Sequence, residues 1–171
     1  MWNRNGLVYF ASIAAILTVG AFVSPEKAVA ANPERPYRGS CSTVVTPLTP
    51  PGVFPQELRI DYICQLAHLG RTTAVAMQVV TPIGPPVGGV VPALIENATI
   101  YTAASGDKLN VSFSGTAQIN VVSGAVRFFG TEAFEGGTGR FVDAAGTADL
   151  EGTASIFTNL GFFTTDGRIS Y

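Results

Sequence analysis

Residues 109–120 read LNVSFSGTAQIN, the most regular alternation of apolar and polar residues in the chain. Every second residue from Leu109 to Ile119 is apolar or glycine, and the residues between them are polar. An alternation with a period of two predicts a β-strand with one dry face and one wet face. Such strands are typical of antiparallel sheets that cover a core on one side only.

The glycine in this stretch recurs in three later stretches with similar surroundings. An apolar residue stands two positions before it and another four positions after it in FSGTAQI (113–119), FFGTEAF (128–134) and LEGTASI (150–156), and more loosely in TDGRISY (165–171). These positions share one strand face, where a glycine leaves room for a bend or a close backbone approach. Repeated along the chain, the pattern predicts an all-β fold, a small antiparallel, eight-stranded, calycin-like β-barrel.

The first thirty residues have the character of a signal peptide. Arg4 precedes an apolar run from Leu7 to Val23, and Ala28-Val29-Ala30 fits the small-x-small cleavage rule. We expect cleavage after Ala30 and a secreted or otherwise extracytoplasmic protein with no stable membrane insertion. The alternative is an uncleaved anchor, since 17 apolar residues lie at the lower limit for a spanning helix.

Residues 31–56 hold six prolines, which disfavour a helix or a central strand. We therefore predict a Pro-rich strap over 31–56, followed by the barrel domain over 57–171. Cys41 and Cys64 both fall in the exported part and are predicted to form a disulfide that ties the strap to the first strand. Two unlinked thiols are the alternative.

Seven strands can be read from the barrel domain, and an eighth is expected near the strap or near the loop predicted over 82–92. The excursion Gly136–Gly146 is predicted to contain a glycine turn and a short helical turn, with Phe141 plugging one barrel end. The predicted lumen, a candidate site for an apolar ligand, is lined by Leu109, Val111, Phe113, Phe128, Glu132, Phe134, Leu150 and Ile156.

Four phrases in the barrel domain resemble those of the dirigent and allene oxide cyclase-like barrels and their exported bacterial relatives. They are HLGR (68–71), ASGDKL (104–109), FEGGTGRFVDAAG (134–146) and GRISY (167–171). The resemblance covers roughly residues 58–171. It implies an eight-stranded barrel with an apolar lumen, which in the plant members steers a reactive small molecule, as a trimer or dimer, without metal or cofactor.

Composition excludes several kinds of partner. Without Arg4, Lys27 and Glu26, the chain has eight basic and eleven acidic residues, so no basic stripe is present to meet nucleic-acid phosphates. One histidine and two cysteines make a zinc cluster improbable, and we expect no metal or cofactor. The GGTG stretch at 136–139 lacks the continuation of a phosphate-binding loop and is interpreted as a turn.

Two residues are candidates for acid–base chemistry. Glu132 has the strand parity of Phe128 and Phe134, so it is predicted to point into an apolar lumen, where a carboxyl would be neutral or paired. A structural pairing with Arg127 or Arg140, or a place in water, is the favoured alternative to catalysis. His68, the only histidine, is predicted to face the interior near a barrel end, more as a packed residue than a catalytic one.

Three functional hypotheses follow. The leading one is a non-enzymatic exported barrel that holds a small apolar molecule or serves as a structural module. The second is a cofactor-independent isomerase or cyclase with Glu132 as acid or base. The third is a self-assembling protein that buries outward-facing Phe129, Phe157 and Phe162 between subunits.

Overall fold

The computed structural model describes residues 32–50 and 52–171, whose strands form one closed antiparallel barrel. The strands are β1 (Arg35–Pro47), β2 (Gln56–Leu66), β3 (Gly70–Pro82), β4 (Val90–Thr102), β5 (Lys108–Asn120), β6 (Ala125–Gly137), β7 (Ala145–Ser155) and β8 (Leu160–Ser170). Each strand pairs with the next, and β1 pairs with β8. The all-β, eight-stranded barrel is therefore confirmed. The predicted signal peptide, residues 1–30, lies outside the described residues.

The eighth strand comes from the segment that was predicted to be a strap. Residues 35–47 form β1, so the barrel begins well before residue 57, and the strap prediction is wrong over that range. Pro36 pairs only with β8, because pairing with β2 begins at Gly39. Pro47 pairs only with β2, because pairing with β8 ends at Val44. Each proline thus occupies a position with a single neighbouring strand, where the missing N–H removes no ladder bond to a second neighbour.

The same rule explains why the loop predicted over 82–92 is shorter in the structure. Strand β3 includes Pro82 and β4 begins at Val90, which leaves residues 83–89 as the connection. Pro92 pairs with Gln118 of β5, whereas pairing of β4 with β3 begins at Ala93. A proline at the end of a strand, with one strand beside it, is compatible with the sheet.

The disulfide between Cys41 and Cys64 is confirmed and lies inside the barrel. The two cysteines occupy facing positions in the β1–β2 register, and both are buried. Closing a loop of this length lowers the entropy of the unfolded chain, which in the chain-entropy model contributes about 3 kcal/mol. The bond therefore fixes the first strand of the barrel to the second.

The repeated glycines allow strands to approach each other under aromatic rings. Gly115 and Gly130 face each other across β5 and β6. A Cβ atom added to either would lie 2.7–2.8 Å from the ring of Phe113 and would also meet the opposing backbone. A Cβ on Gly152 would lie 2.5 Å from the Phe128 ring. Phenylalanine rings thus occupy the space that the missing side chains leave, as in the aromatic covering of strand glycines.

One end of the barrel is closed. We call it the closed end; it carries the β2–β3, β4–β5 and β6–β7 connections and the end of β8. A short 3-10 helix at Gly139–Phe141 places the Phe141 ring across this end, fully buried and 5.0 Å from the Tyr171 ring. Leu69 and Ala103, which lie in two connections of this end, are also buried. The predicted plug at Phe141 is therefore present.

The opposite end, called the open end, carries the other four connections, and its interior side chains are only partly covered. The partly buried apolar residues there, which pack against the core, are Val45, Leu58, Ile119, Val126 and Phe128. Every strand contributes inward residues by alternation, so the difference between the ends comes from the connections and not from the sheet. The interior is therefore sealed at the closed end, whereas at the open end its outermost apolar side chains are partly exposed.

We predict that Gly130→Ala destabilises the barrel by about 1–3 kcal/mol, because the added methyl group would overlap the Phe113 ring and the backbone of β5. In an ordinary strand the same change would stabilise by about 0.5–1 kcal/mol, so the sign is diagnostic. Urea denaturation measures the change. Ser114→Ala, at an exposed position on the paired strand, is the matched control and should change stability little. A Gly130→Ala variant more stable than the wild type would contradict the close approach.

Candidate functional site

Most residues of the predicted lumen point into the barrel. The buried ones are Leu109, Val111, Phe113, Glu132, Phe134 and Leu150, and Phe128 is half-buried near the open end. The prediction for Ile156 is wrong, since its side chain is 45 % exposed. Strand β7 ends at Ser155, so Ile156 belongs to the following turn and no longer obeys the alternation of the strand.

Glu132 lies at the centre of the interior, with only 2 % of its surface exposed. Tyr101 of β4 donates a hydrogen bond from its hydroxyl to Glu132 Oε1 (2.9 Å). Thr165 of β8 donates from Oγ1 to Glu132 Oε2 (2.7 Å). Glu132 therefore connects β6 to two strands that are not its neighbours. Pairing with arginine is not observed, since Arg127 is exposed and Arg140 Nε lies 3.7 Å from Asp107 Oδ2.

Burial raises the pKa of Glu132, and the hydrogen bonds from Thr165 and Tyr101 oppose this shift. The pKa of Tyr101 is raised well above its ordinary value, first by burial and then by the nearby carboxylate. Burial and the same carboxylate also raise the pKa of Tyr62. Burial therefore disfavours the charged form of Glu132, whereas the two hydrogen bonds that its oxygens accept favour that form.

Tyr37 adds an unusual feature to this centre. Its side chain is fully buried and packs edge-on against Phe134, with ring centroids 4.6 Å apart. Its hydroxyl has no hydrogen-bond partner among the described residues. Burial raises the pKa of Tyr37, and the Glu132 carboxylate raises it further. A buried hydroxyl without a partner costs roughly 1–3 kcal/mol, so this position can accept a polar group at a net gain.

Access to Glu132 from the open end is restricted by aromatic rings. Phe128 stands four residues nearer that end on β6, and buried Phe163 stands two residues nearer than Thr165 on β8. Two grooves of the described chain, one beside Phe129 and one beside Thr147, do not include Glu132 in their linings. The carboxyl therefore serves the packing of the interior in this conformation, and a substrate would have to displace Phe128 to reach it.

The predicted interior position of His68 is wrong. His68 lies in the turn after β2, exposed, with a φ of 67°. The left-handed conformation reverses the chain and ends the alternation that placed His68 on the same face as Cys64. Its ring lies 6.2 Å from that of Tyr171, and its carbonyl oxygen accepts a hydrogen bond from Arg140 Nη2 (2.6 Å). Through these two contacts, His68 helps to hold the closed end together.

The outward phenylalanines are exposed as expected, but they do not form one surface. Phe129 lies in a groove of about 610 Å³ on the outer face of β1, β6, β7 and β8, beside Arg38, Glu151 and Asp166. Phe162 lies nearer the open end on β8, and Phe157 lies in the turn after β7. Phe129 thus has charged neighbours, whereas Phe157 belongs to a different, uncharged surface.

A second apolar surface was missed by the sequence reasoning. It lies on the outside of β2, β3 and β4, and we call it the outer wall patch; its exposed members are Ile63, Val75, Met77, Val79, Leu94 and Ile100. Val75 faces Ile100 across β3 and β4. Residues 72–81, TTAVAMQVVT, carried a signal for this patch, because both faces of the strand are apolar. Without knowledge of the strand pairing, such a sequence indicates only a strand that is buried on both faces.

The described residues contain no cluster of three or more histidine, cysteine, aspartate or glutamate side chains arranged to hold a metal ion. Over 32–50 and 52–171, no helix has the length and apolar character needed to cross a bilayer. The disulfide is compatible with an oxidising, extracytoplasmic compartment.

The four phrases that carry the family resemblance meet at the closed end. Thr138 N donates to the Lys108 carbonyl (2.8 Å), and Lys108 N donates to Thr138 Oγ1 (2.9 Å). Arg140 reaches both Asp107 and the His68 carbonyl, and Tyr171 packs on Phe141. These residues hold turns together and seal the interior, so the four phrases account for the closure of this end.

We predict that stability attributable to Glu132 falls as the pH rises. Because the folded-state pKa lies above the ordinary value of 4.5, this contribution is complete below pH 4.5 and is lost as pH rises through the folded pKa. The free energy of unfolding of the wild type, relative to Glu132→Gln, should therefore decline above pH 4.5, by at most about 1.4 kcal/mol per pH unit. Urea denaturation from pH 4 to pH 8 measures it. Glu151→Gln, at an exposed site, should follow the wild type, and a constant difference for Glu132→Gln would contradict the prediction.

Comparison of the chain with family models, with curated proteins and with solved structures finds no match. The likeness to dirigent and allene oxide cyclase-like barrels therefore stays a prediction that rests on the four phrases. The barrel fold, by contrast, is shown by the strand pairing and does not depend on this likeness.

Proposed function

We propose that the protein is an exported, non-enzymatic binding module that takes the apolar part of a small molecule into the open half of its barrel. The observation that carries this proposal is the difference between the two ends. Phe141 seals one end, whereas at the other the apolar side chains of Val45, Ile119 and Val126 stay partly exposed. An eight-stranded barrel has just enough interior either for its own side chains or for one small ligand, and the ligand would take the place of side chains at the open end.

Small residues and one adjustable ring make the open half receptive. The interior there includes Gly152, Ala154 and Gly161, and a Cβ on Gly161 would lie 3.1 Å from that of Ala154. The Phe128 ring lies over Gly152 and is only half-buried. Its rotation toward the solvent would uncover the space above the glycine. An apolar group entering from the open end would then replace the ring.

The polar centre supplies an anchor below this space. The unpartnered Tyr37 hydroxyl and the Glu132 carboxyl lie beneath the aromatic rings. A ligand with an apolar body and one hydrogen-bonding group would satisfy Tyr37 while its body fills the open half. Specific recognition in apolar pockets commonly uses a few such polar groups.

An acid–base enzyme is the second candidate, and the raised pKa of Glu132 beside the unpartnered Tyr37 hydroxyl is the observation in its favour. Binding distinguishes the two hypotheses. In a binding module, the wild type and Glu132→Gln both release the ligand unchanged and no product forms. In an enzyme, the bound molecule is converted by the wild type, and Glu132→Gln abolishes the conversion.

Self-assembly is a third candidate, and the outer wall patch is the observation that favours it, because large exposed apolar patches mark interfaces. Sedimentation of the wild type and of Met77→Glu decides it. An oligomer that Met77→Glu dissociates supports assembly through β3, and a wild-type monomer removes the hypothesis.

We predict saturable, one-to-one binding of an environment-sensitive fluorescent fatty-acid analogue, lost in a variant with a blocked open end. Ala154→Phe places a ring in the open half and should weaken binding by tenfold or more. Val142→Phe adds the same ring at an exposed site of the closed end and should leave binding unchanged. Fluorescence titration measures both. Equal affinity of the two variants, or no saturable binding by the wild type, would contradict the proposal.

A further inference from the structure

The four connections at the open end share one property: none contains a charged residue. They read LTPPGVFP (48–55), IGPPVGG (83–89), VVSG (121–124) and IFTN (156–159). Two connections at the closed end, residues 103–107 and 138–144, contain Asp107, Arg140 and Asp143. Charged side chains are the usual occupants of exposed loops, so their absence from all four loops of one end requires an explanation.

Exposed apolar side chains take their place. We call them the apolar rim; its members are Leu48, Val53, Phe54, Ile83, Val87, Val121, Val122, Ile156 and Phe157. The exposed fraction reaches 76 % for Val87, 78 % for Val122 and 65 % for Phe157. Together the side chains present on the order of several hundred Å² of apolar surface, as much as the largest patch on a typical monomer.

Two of the connections use the same turn and place apolar pairs at its tip. In one, Asn120 Oδ1 accepts hydrogen bonds from the backbone N–H groups of Val122 (3.0 Å) and Ser123 (2.9 Å), and the turn ends at left-handed Gly124. In the other, Ser155 Oγ accepts from Phe157 N (3.2 Å) and Thr158 N (3.3 Å).

The second turn ends at left-handed Asn159, and its N–H donates to the Ser155 carbonyl (2.8 Å), as Gly124 N donates to Asn120 (2.8 Å). Polar residues are preferred at such tips. The same turn with an exposed apolar pair, at two places on one end, indicates a surface that contacts something other than water.

Backbone hydrogen bonds join these connections into a fixed arc. Val121 N donates to the Gly89 carbonyl (2.9 Å), which joins the second connection to the third. Ile156 N donates to the Gly124 carbonyl (2.9 Å), which joins the third to the fourth. Val45 N donates to the Asn159 carbonyl (2.8 Å) and attaches the arc to β1. These bonds fix the backbone of the second, third and fourth connections relative to one another, so binding does not require these three loops to become ordered.

We propose that the apolar rim docks the protein on the surface of a neutral lipid bilayer. Charge is the first argument. The rim has no charge, and the charged residues nearest to it along the strands include acidic Glu57 and basic Arg127, so no single-sign field favours an anionic surface or a charged partner.

The residues behind the tips provide the second argument. They are neutral hydrogen-bonding side chains, namely Asn120 and Ser155, which accept hydrogen bonds from the backbone of the two turns. Apolar tips followed by neutral polar groups match the order of acyl chains and head groups at the boundary of a bilayer. Separate apolar tips also suit a fluid surface, which can adapt to each of them, better than a rigid protein surface that must fit all four connections together.

Docking in this orientation turns the open end of the barrel toward the bilayer. If the proposed binding function holds, and this consequence rests on it, an apolar ligand passes between the bilayer and the open half without crossing water. The docking itself rests only on the rim. Contact through loop tips is peripheral and places no strand across the membrane.

Two single-tryptophan variants test the proposal. Phe157→Trp reports on the rim and Val142→Trp reports on the exposed surface of the closed end, each in the protein that begins at Ala31 and therefore lacks both Trp2, the only natural tryptophan, and the apolar run from Leu7 to Val23. Each protein is mixed with phosphatidylcholine vesicles whose acyl chains carry bromine. We expect a blue shift and at least twofold quenching at position 157, neither at position 142, and no loss of binding in 0.5 M NaCl.

Weakening the rim provides the matched affinity measurement. Adding Val87→Ser and Val122→Ser to the Phe157→Trp protein should lower the vesicle affinity by tenfold or more. Adding Val75→Ser and Met77→Ser, on the outer wall patch, should leave it within a few-fold. All four positions are exposed, so the fold should tolerate the changes, and circular dichroism verifies this.

Three results would overturn the proposal: no response at position 157, equal responses at 157 and 142, or binding that appears only with anionic vesicles. A soluble dimer that Val87→Ser with Val122→Ser dissociates would assign the rim to self-association and would also overturn it. Fatty-acid binding measured without vesicles separates the two proposals. Ligand binding without docking refutes this inference alone, and docking without ligand binding refutes the proposed function alone.

Discussion

Pairing between β1 and β8 closes the sheet, and the interior depends on this closure. Without it, both strands would expose a row of backbone hydrogen-bonding groups, and the apolar faces of β5 to β7 would be open to water. β1 also supplies Tyr37, Cys41 and Thr43 to the interior. Tyr37 packs on Phe134 of β6, on the opposite side of the barrel, so β1 completes the packing of strands with which it does not pair.

Closure divides the interior into three levels. At the closed end, Phe141 and Tyr171 form a tight seal held by Arg140. In the middle, Glu132 accepts hydrogen bonds from Tyr101 and Thr165 in an environment that disfavours its charge. At the open end, apolar side chains stay partly exposed and are surrounded by uncharged loops. A single sheet therefore provides a stable base, a polar centre and an accessible apolar region.

Alternation and glycine positions were sufficient to predict the barrel because both can be read within a single strand, without knowing which strand pairs with it. The stretch 109–120 became β5 nearly as predicted, and the glycines at 115 and 130 face each other. The closure of one end was also predictable, since Phe141 is the only aromatic residue of the glycine-rich segment 136–146. Cys41 and Cys64 were predictable as a pair because the chain has no other cysteine.

The predictions failed at two kinds of position. At some the strand ends and its alternation stops, and at others the environment of the residue depends on a strand that is distant in sequence. Proline content disfavoured β1, but Pro36 and Pro47 lie where only one neighbour is present, which requires knowing the register. Ile156 and His68 were assigned by parity beyond the last residue of their strands.

The partners of Glu132 come from β4 and β8, more than thirty residues away, so no pattern within β6 could identify them. The apolar rim was invisible for the same reason, because its four loops are brought together only by the topology.

The most direct test of closure is an NMR measurement of contacts between β1 and β8. The disulfide would hold β1 near β2 in any case, so only contacts with β8 are diagnostic. We expect cross-strand nuclear Overhauser effects between the backbone protons of Tyr37 and Gly167 and of Cys41 and Phe163, with β1 amides as protected from hydrogen exchange as those of β5. Absence of these effects, with β1 amides exchanging at the rates of an unfolded chain, would contradict the closed barrel.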